Sequence, residues 1–193
     1  MNLFFDCETT GKADFKAPPE ASHQPRIVQV GLILANDKGE QLARCSLLIK
    51  PAGWQISEEA QKVHGISPRD CEVAGVDIRV AMNLIHSLAQ QATVISAHNL
   101  SFDWLLLEIE ATRLGKKLTD MPAFAKIEPF CTMLEAIPIL KLPGKFGNYK
   151  WPSLAETHRH FFGKEIEKAH DAMADVEACA KCYYAMQEYL EHV

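Results

Sequence analysis

The chain opens on an apolar run that ends abruptly in acid. Leu3-Phe4-Phe5 leads straight into Asp6, and Glu8 comes two residues later. Such an apolar run marks a strand buried in a sheet. Successive side chains of a strand alternate faces, so Asp6 and Glu8 point the same way. Acids beside a buried strand need a partner, because a carboxylate taken out of water is costly unless its charge is compensated. The alternative is a strand end whose acids simply face water. Thr9-Thr10-Gly11 follows, and Gly11 permits a sharp exit or the close approach of a ligand.

Beyond that strand, Arg26 to Ala35 is apolar and β-branched, Asp37-Lys38-Gly39-Glu40 reads as a turn, and Gln41 to Lys50 reads as a second arm of a hairpin. Ser57 opens a short helix that should end near His64-Gly65. Asp77 to Gln91 is amphipathic and helical, Thr93 to Ala97 is a short apolar strand, and Ser101 to Leu114 is a helix stopped by Gly115. Lys126 to Phe130 is a further strand interrupted by Pro129, Pro138 to Trp151 reads as loop, and Pro152 to Phe162 and Asp171 to Glu191 read as helices. Three N-terminal strands pairing antiparallel, then alternating helices and strands, make a mixed α/β sheet with helices on its faces.

The 193 residues suit one domain, 1–193, with a single substantial core. No apolar run approaches the length needed to span a bilayer, which predicts no membrane partner. Met1 to Phe5 is too short for a secretory signal, which predicts a cytoplasmic protein. Six scattered cysteines in apolar text read as buried thiols of a reducing compartment. Cys179 and Cys182 form a lone C-x-x-C with nothing to complete a zinc site. The net charge of −5 argues against a large nucleic-acid-binding surface. Locally, Lys141 to Lys164 carries five Lys/Arg against one acid, with Phe146, Tyr149, Trp151, His158 and His160 interleaved. That stretch suits phosphates and unstacked bases, or is a solvated loop followed by an amphipathic helix.

Further acids recur downstream. Asp103 stands in the first turn of the helix after the Thr93–Ala97 strand, where ligands of α/β sheets gather. Taken alone, Asp103 is better explained by favourable placement in the helix dipole. His170 and Asp175 are five apart, about 140° out of phase on one helix. Both reach one site only if His170 precedes the helix, and Asp171 is a natural N-cap that puts it there. Carboxylates that converge repel each other unless a cation lies between them. Oxygen ligands of this kind suit Mg²⁺ or Mn²⁺, and two such ions with a histidine beside them suit phosphodiester hydrolysis.

Three segments carry a resemblance. Phe5-Asp6-Cys7-Glu8-Thr9-Thr10-Gly11, His98-Asn99-Leu100-Ser101-Phe102-Asp103 and His170-Asp171-Ala172-Met173-Ala174-Asp175 resemble, in order and spacing, the three motifs of DnaQ-like, DEDDh-type 3′–5′ exonucleases. The resemblance implies a ribonuclease H-like fold, a five-stranded mixed sheet flanked by helices, with the first strand central. It implies that Asp6, Glu8, Asp103 and Asp175 bind two Mg²⁺ (or Mn²⁺) ions and that His170 is the general base. Ile56 to Ile66 resembles the segment that holds the terminal nucleotide in polymerase proofreading relatives. Glu59 and His64 are carried over as substrate contacts, together with Thr9, Asn99 and Phe102 of the motifs.

The implied activity is metal-dependent release of nucleoside 5′-monophosphates from the 3′ end of single-stranded DNA, in proofreading or repair. DNA is favoured over RNA because Glu8-Thr9-Thr10-Gly11 and Val63-His64-Gly65 look most like proofreading enzymes. Two departures stand out. The loop Lys12 to Gln24 is longer than the family pattern. No C-terminal extension of the kind that holds a polymerase follows the last helix, which counts against the polymerase partner that the likeness suggests. An RNA-trimming exoribonuclease and a catalytically silent nucleic-acid-binding module of the same fold stay open.

Overall fold

The computed structural model describes residues 1–167 and 169–192. Its single sheet contains β1 (Asn2–Thr9), β2 (Ile27–Ala35), β3 (Gln41–Leu48), β4 (Val94–Ala97) and β5 (Glu128–Cys131), in the order β3-β2-β1-β4-β5. The first three strands pair antiparallel, and β4 and β5 run parallel to β1. The apolar opening strand is thus central, and the fold is the expected ribonuclease H-like one.

Burial follows strand position. All nine residues of β2 are buried, whereas β3, at the edge, alternates towards solvent. Leu3 and Phe5 face one layer, built from α3 (Ile78–Ala89) and α4 (Leu100–Arg113). Phe4 faces the other, where Met173, Val176, Cys179 and Tyr183 of α7 (Ala172–Glu191) cover it. Each of these fully buried side chains contributes roughly 1.5–3 kcal/mol. Asp6 and Glu8 lie in register with Phe4, so they emerge on the α7 side.

Local signals explain most helix ends. Ser57 caps α1 (Glu58–His64) by accepting the Ala60 N–H, and Gly65 ends it at φ 73°. Ser153 and Glu156 form a reciprocal capping box on α6 (Leu154–Phe162).

Two helices differ from the sequence expectation. Ser67, Pro68 and Asp70 start α2 (Pro68–Ala74) with a capping box and Pro at the first helical position. α5 (Thr132–Leu140) occupies the beginning of what read as loop, with Pro138 inside its last turn. There the missing N–H costs one bond, and buried Thr132, Met133 and Ala136 hold the turns before it. From Lys141 onward the loop reading stands. β5 tolerates Pro129 because it is an edge strand that needs partners on one side only.

Among the described residues no helix is long and apolar enough to cross a membrane. All six cysteines are free, and burial pushes the Cys182 thiol up to about 12 and the Cys179 thiol also upward. Both are therefore unreactive packing residues at neutral pH.

Candidate active site

Three elements bring acid to the C-terminal end of β1. Asp6 stands opposite Gly31 of β2, and Glu8 opposite Gln29. Between Glu8 and Thr9 the register slips, a bulge that re-aims the strand as it leaves the sheet. From the other side, β4 turns into α4 through Asn99, held left-handed at φ 69°. That tight turn buries Asp103, 2% exposed, where its Oδ1 accepts the Cys7 N–H at 3.0 Å.

The third contribution is the start of α7. Asp171 caps it by accepting the Ala174 N–H at 3.1 Å. His170 precedes the cap, at φ 69°, and its N–H donates to Asp175 Oδ2 at 3.0 Å. The left-handed kink resolves the phase mismatch between residues five apart. Ligating atoms of Glu8, His170 and Asp175 all lie within 4.8 Å of one another.

Two residues that the sequence reading did not single out make this approach work. A Cβ on Gly31 would lie 2.5 Å from the Ala172 carbonyl oxygen, so only glycine lets the α7 terminus rest on β2. Glycine inside a strand is the signal for such close backbone contact. Gln29, buried beside it, accepts the Ala172 N–H at 3.2 Å and donates to Asp171 Oδ2 at 3.4 Å and Ser46 Oγ at 3.1 Å. It ties the helix start to β2, at the position that pairs with Glu8 of β1.

Electrostatically the cluster is unsatisfied. Burial first, then Asp103, Asp175 and Glu8, push the Asp6 carboxyl well above the carboxylate range. Burial raises Asp103 too, against the Cys7 hydrogen bond, and raises Asp175 against the His170 N–H. Glu8 rises to about 7, through burial and then the Asp175 and Asp171 charges. None of the ion pairs among the described residues brings Lys or Arg to Asp6, Glu8, Asp103 or Asp175. Hard oxygen donors that lack a protein cation fit a divalent ion such as Mg²⁺ or Mn²⁺.

A cavity of about 470 Å³ opens beside the acids, lined by Glu8, Thr9, Glu59, His64 and Phe102 among others. Four of the five expected substrate contacts therefore share one space. Asn99 lies outside that lining, where its Oδ1 accepts from Ser101 Oγ at 3.2 Å. His64 Nδ1 accepts the Ile66 N–H at 3.0 Å, and burial lowers its pKa, partly offset by the Thr9 backbone. His98 has a structural place: buried, with its pKa down to about 4, it spans Thr132 Oγ1 and the Pro152 carbonyl, each at 3.0 Å.

The family described as Exonuclease (RNase_T) matches residues 3–183. The chain belongs to this exonuclease family. The exonuclease is 25% identical over 193 residues to DNA polymerase III subunit epsilon of Buchnera aphidicola subsp. Schizaphis graminum, covering 99% of its own length and 76% of that relative. It is 28% identical over 176 residues to the uncharacterized exonuclease CP81 of Escherichia phage 186, covering 90% and 81%. Its fold matches E. coli Exonuclease I in complex with a dT13 oligonucleotide at TM-score 0.76 and 22% identity, covering 99% of this chain and 42% of that one. A zinc-bound Exonuclease I–ssDNA complex matches at TM-score 0.76 and 21% identity, with 99% and 41% covered. This exonuclease thus spans about two-fifths of the Exonuclease I chain. DnaQ-like membership and nuclease activity were both expected from the motifs, and the exonuclease family match bears them out.

Proposed function

We propose that this exonuclease removes nucleotides from the 3′ end of single-stranded DNA and releases nucleoside 5′-monophosphates. The observation that carries the reading is the meeting of Glu8, His170 and Asp175 within 4.8 Å, beside Asp6 and Asp103 and open to the Thr9–His64 cavity. Asp6, Glu8, Asp103 and Asp175 hold two divalent ions of the Mg²⁺ or Mn²⁺ class. When bound, such ions neutralise charge at the phosphodiester and make water more acidic.

The protein's own groups do the rest. His170 takes the proton of the attacking water, which an imidazole does well near neutral pH. The Asp175 carboxylate holds the His170 backbone in place, and Gln29 and Gly31 fix the α7 terminus beneath both. The 3′ nucleotide enters the cavity lined by Thr9, Glu59, His64 and Phe102. Phe102 supplies an aromatic surface for a base, and His64 a ring whose pKa burial lowers. Single-stranded DNA is preferred because Exonuclease I, the shared fold, binds a dT13 oligonucleotide, and because the epsilon relative is a DNA polymerase subunit. The same relative motivates a polymerase partner for this chain.

The test uses matched single-stranded DNA and RNA labelled at the 5′ end, with Mg²⁺ and then with EDTA. A ladder that shortens from the 3′ end of DNA and vanishes in EDTA is expected, and Asp6→Ala should abolish it. Faster trimming of RNA would overturn the substrate, and cleavage that survives Asp6→Ala would overturn the site.

A further inference from the structure

Two segments that sequence analysis leaves apart, the loop Lys12–Gln24 and the strap Lys141–Trp151, meet over one groove. Phe15 comes from the first and Trp151 from the second. The groove has a volume of about 820 Å³, within the range of ligand sites. Leu100 and Ser101, in the first turn of α4, also line it. Phe102 and Lys12, next along the same two segments, line the cavity beside the acids. The groove is therefore the neighbouring space to the one that takes the 3′ nucleotide.

Both aromatics stand on hydrogen-bonded segments and yet are left in solvent. Gln24, 3% exposed, ties its loop together: Oε1 accepts the Asp14 N–H at 3.1 Å, and Nε2 donates to the Asp14, Ala17 and Pro18 carbonyls. Arg113 clamps the loop's end through the Gln24 and Pro25 carbonyls, both at 2.7 Å. Phe15 is nonetheless 60% exposed. The strap is closed by Gly144 N–H to Asn148 O at 2.8 Å and Lys150 N–H to Leu142 O at 3.0 Å. It is anchored by His98 on the Pro152 carbonyl. Trp151 is 66% exposed, and Phe146 and Tyr149 beside it are exposed as well. Ordering a loop costs entropy, and nothing in the core gains from these rings. Glu108 and Glu135 line the groove, so phosphates do not lie on its floor. Lys16 adjoins Phe15 in the chain and suits a backbone running along the rim, while Lys150, beside Trp151, is ion-paired with Glu156.

We propose that Phe15 and Trp151 form a stacking clamp for the bases upstream of the 3′ nucleotide, so that this exonuclease holds several unpaired nucleotides of its strand at once. This rests on the nucleic-acid substrate proposed above. Apolar aromatics facing bases, with lysines beside the backbone, are the common means of gripping single strands without reading sequence.

The test is fluorescence anisotropy of 5′-fluorescein oligothymidylates of three and nine nucleotides, in EDTA, so that no strand is cleaved. The wild-type protein should bind the nine-nucleotide strand more tightly. Phe15→Ala with Trp151→Ala should weaken it by at least about 5-fold, the lower worth of a single lost stacked base. Phe15→Tyr with Trp151→Phe should restore most of the affinity, which a merely structural role would not predict. A wild-type protein that binds both lengths equally would overturn the clamp, as would an alanine pair that leaves the nine-nucleotide Kd unchanged. The latter is the result expected if the groove serves a protein partner. Length-dependent binding without any cleavage in Mg²⁺ would overturn the proposed activity and leave the clamp standing.

Discussion

Asp103 and Glu110 sit seven residues apart on α4, and both are almost wholly buried, at 2% and 1% exposure. Their surroundings are opposite. Glu110 takes a two-pronged ion pair from Arg26, Nε at 2.8 Å and Nη2 at 3.0 Å, and Arg113 Nη1 lies 3.5 Å away. The Ile27 N–H also donates to it, at 3.3 Å. Asp103 has one backbone N–H and otherwise faces Glu8 and Asp175, whose charges raise its pKa further. A buried carboxylate needs positive charge from somewhere. At Glu110 the chain supplies it; at Asp103 the described residues supply none, and the proposed divalent ion would. The first is a structural lock that fastens the start of β2 to α4, and the second belongs to the proposed catalytic site.

That contrast can be broken most sharply by paired substitutions. Asp103→Asn should abolish metal-dependent cleavage yet raise the thermal midpoint of the metal-free protein, because repulsion goes while the Cys7 N–H keeps an acceptor. Glu110→Gln should do the reverse, costing about 3 kcal/mol in urea unfolding by stranding two arginines, with catalysis kept while the protein is folded. If both variants lose stability alike, the acid cluster is not strained and the comparison fails.

His170→Ala should lower kcat by roughly 10²–10⁴-fold with little change in stability, read by single-turnover cleavage. A variant with full activity would remove His170 from the role of base. Gly31→Ala should cost roughly 1–3 kcal/mol, since its methyl group meets the Ala172 backbone rather than a flexible side chain. Activity should fall with it as the α7 terminus lifts, whereas an unchanged melting curve would show that α7 has slack there.

The smallest effect is on pH dependence. Glu8 titrates near 7 in the fold against 4.5 for an unperturbed glutamate. An acid whose pKa is raised by folding contributes stability below about 4.5 that is lost as pH climbs through about 7. Metal-free protein should therefore melt progressively lower across that window, and saturating Mn²⁺ should flatten the slope. Glu110→Gln should leave the slope as it is, and a slope indifferent to Mn²⁺ would separate the acids from the ion.

Much of this was legible in the residues. Leu3-Phe4-Phe5 before Asp6 and Glu8 marked a buried strand with acids on one face, and Asp171 as N-cap put His170 just outside α7. Periodicity located α3 by its apolar stripe, and α4 was placed as the segment stopped by Gly115. Periodicity passed over α2, seven residues long, and α5, interrupted by Pro138, because tertiary packing rather than repeat stabilises short helices. The basic, aromatic stretch Lys141–Lys164 divides in two: Phe146, Tyr149 and Trp151 are exposed, while His158 is buried against α6's own C-terminal turn.

The sequence by itself determined which residues carry charge, which strand they follow and what order they come in, because alternation and capping are local rules. Only the tertiary structure decided that Gly31 admits α7, that Gln29 ties it to β2, that His98 is structural, and that Phe15 and Trp151 share a groove. Those depend on distances between segments far apart in the chain, and no local preference encodes how closely two backbones may pack.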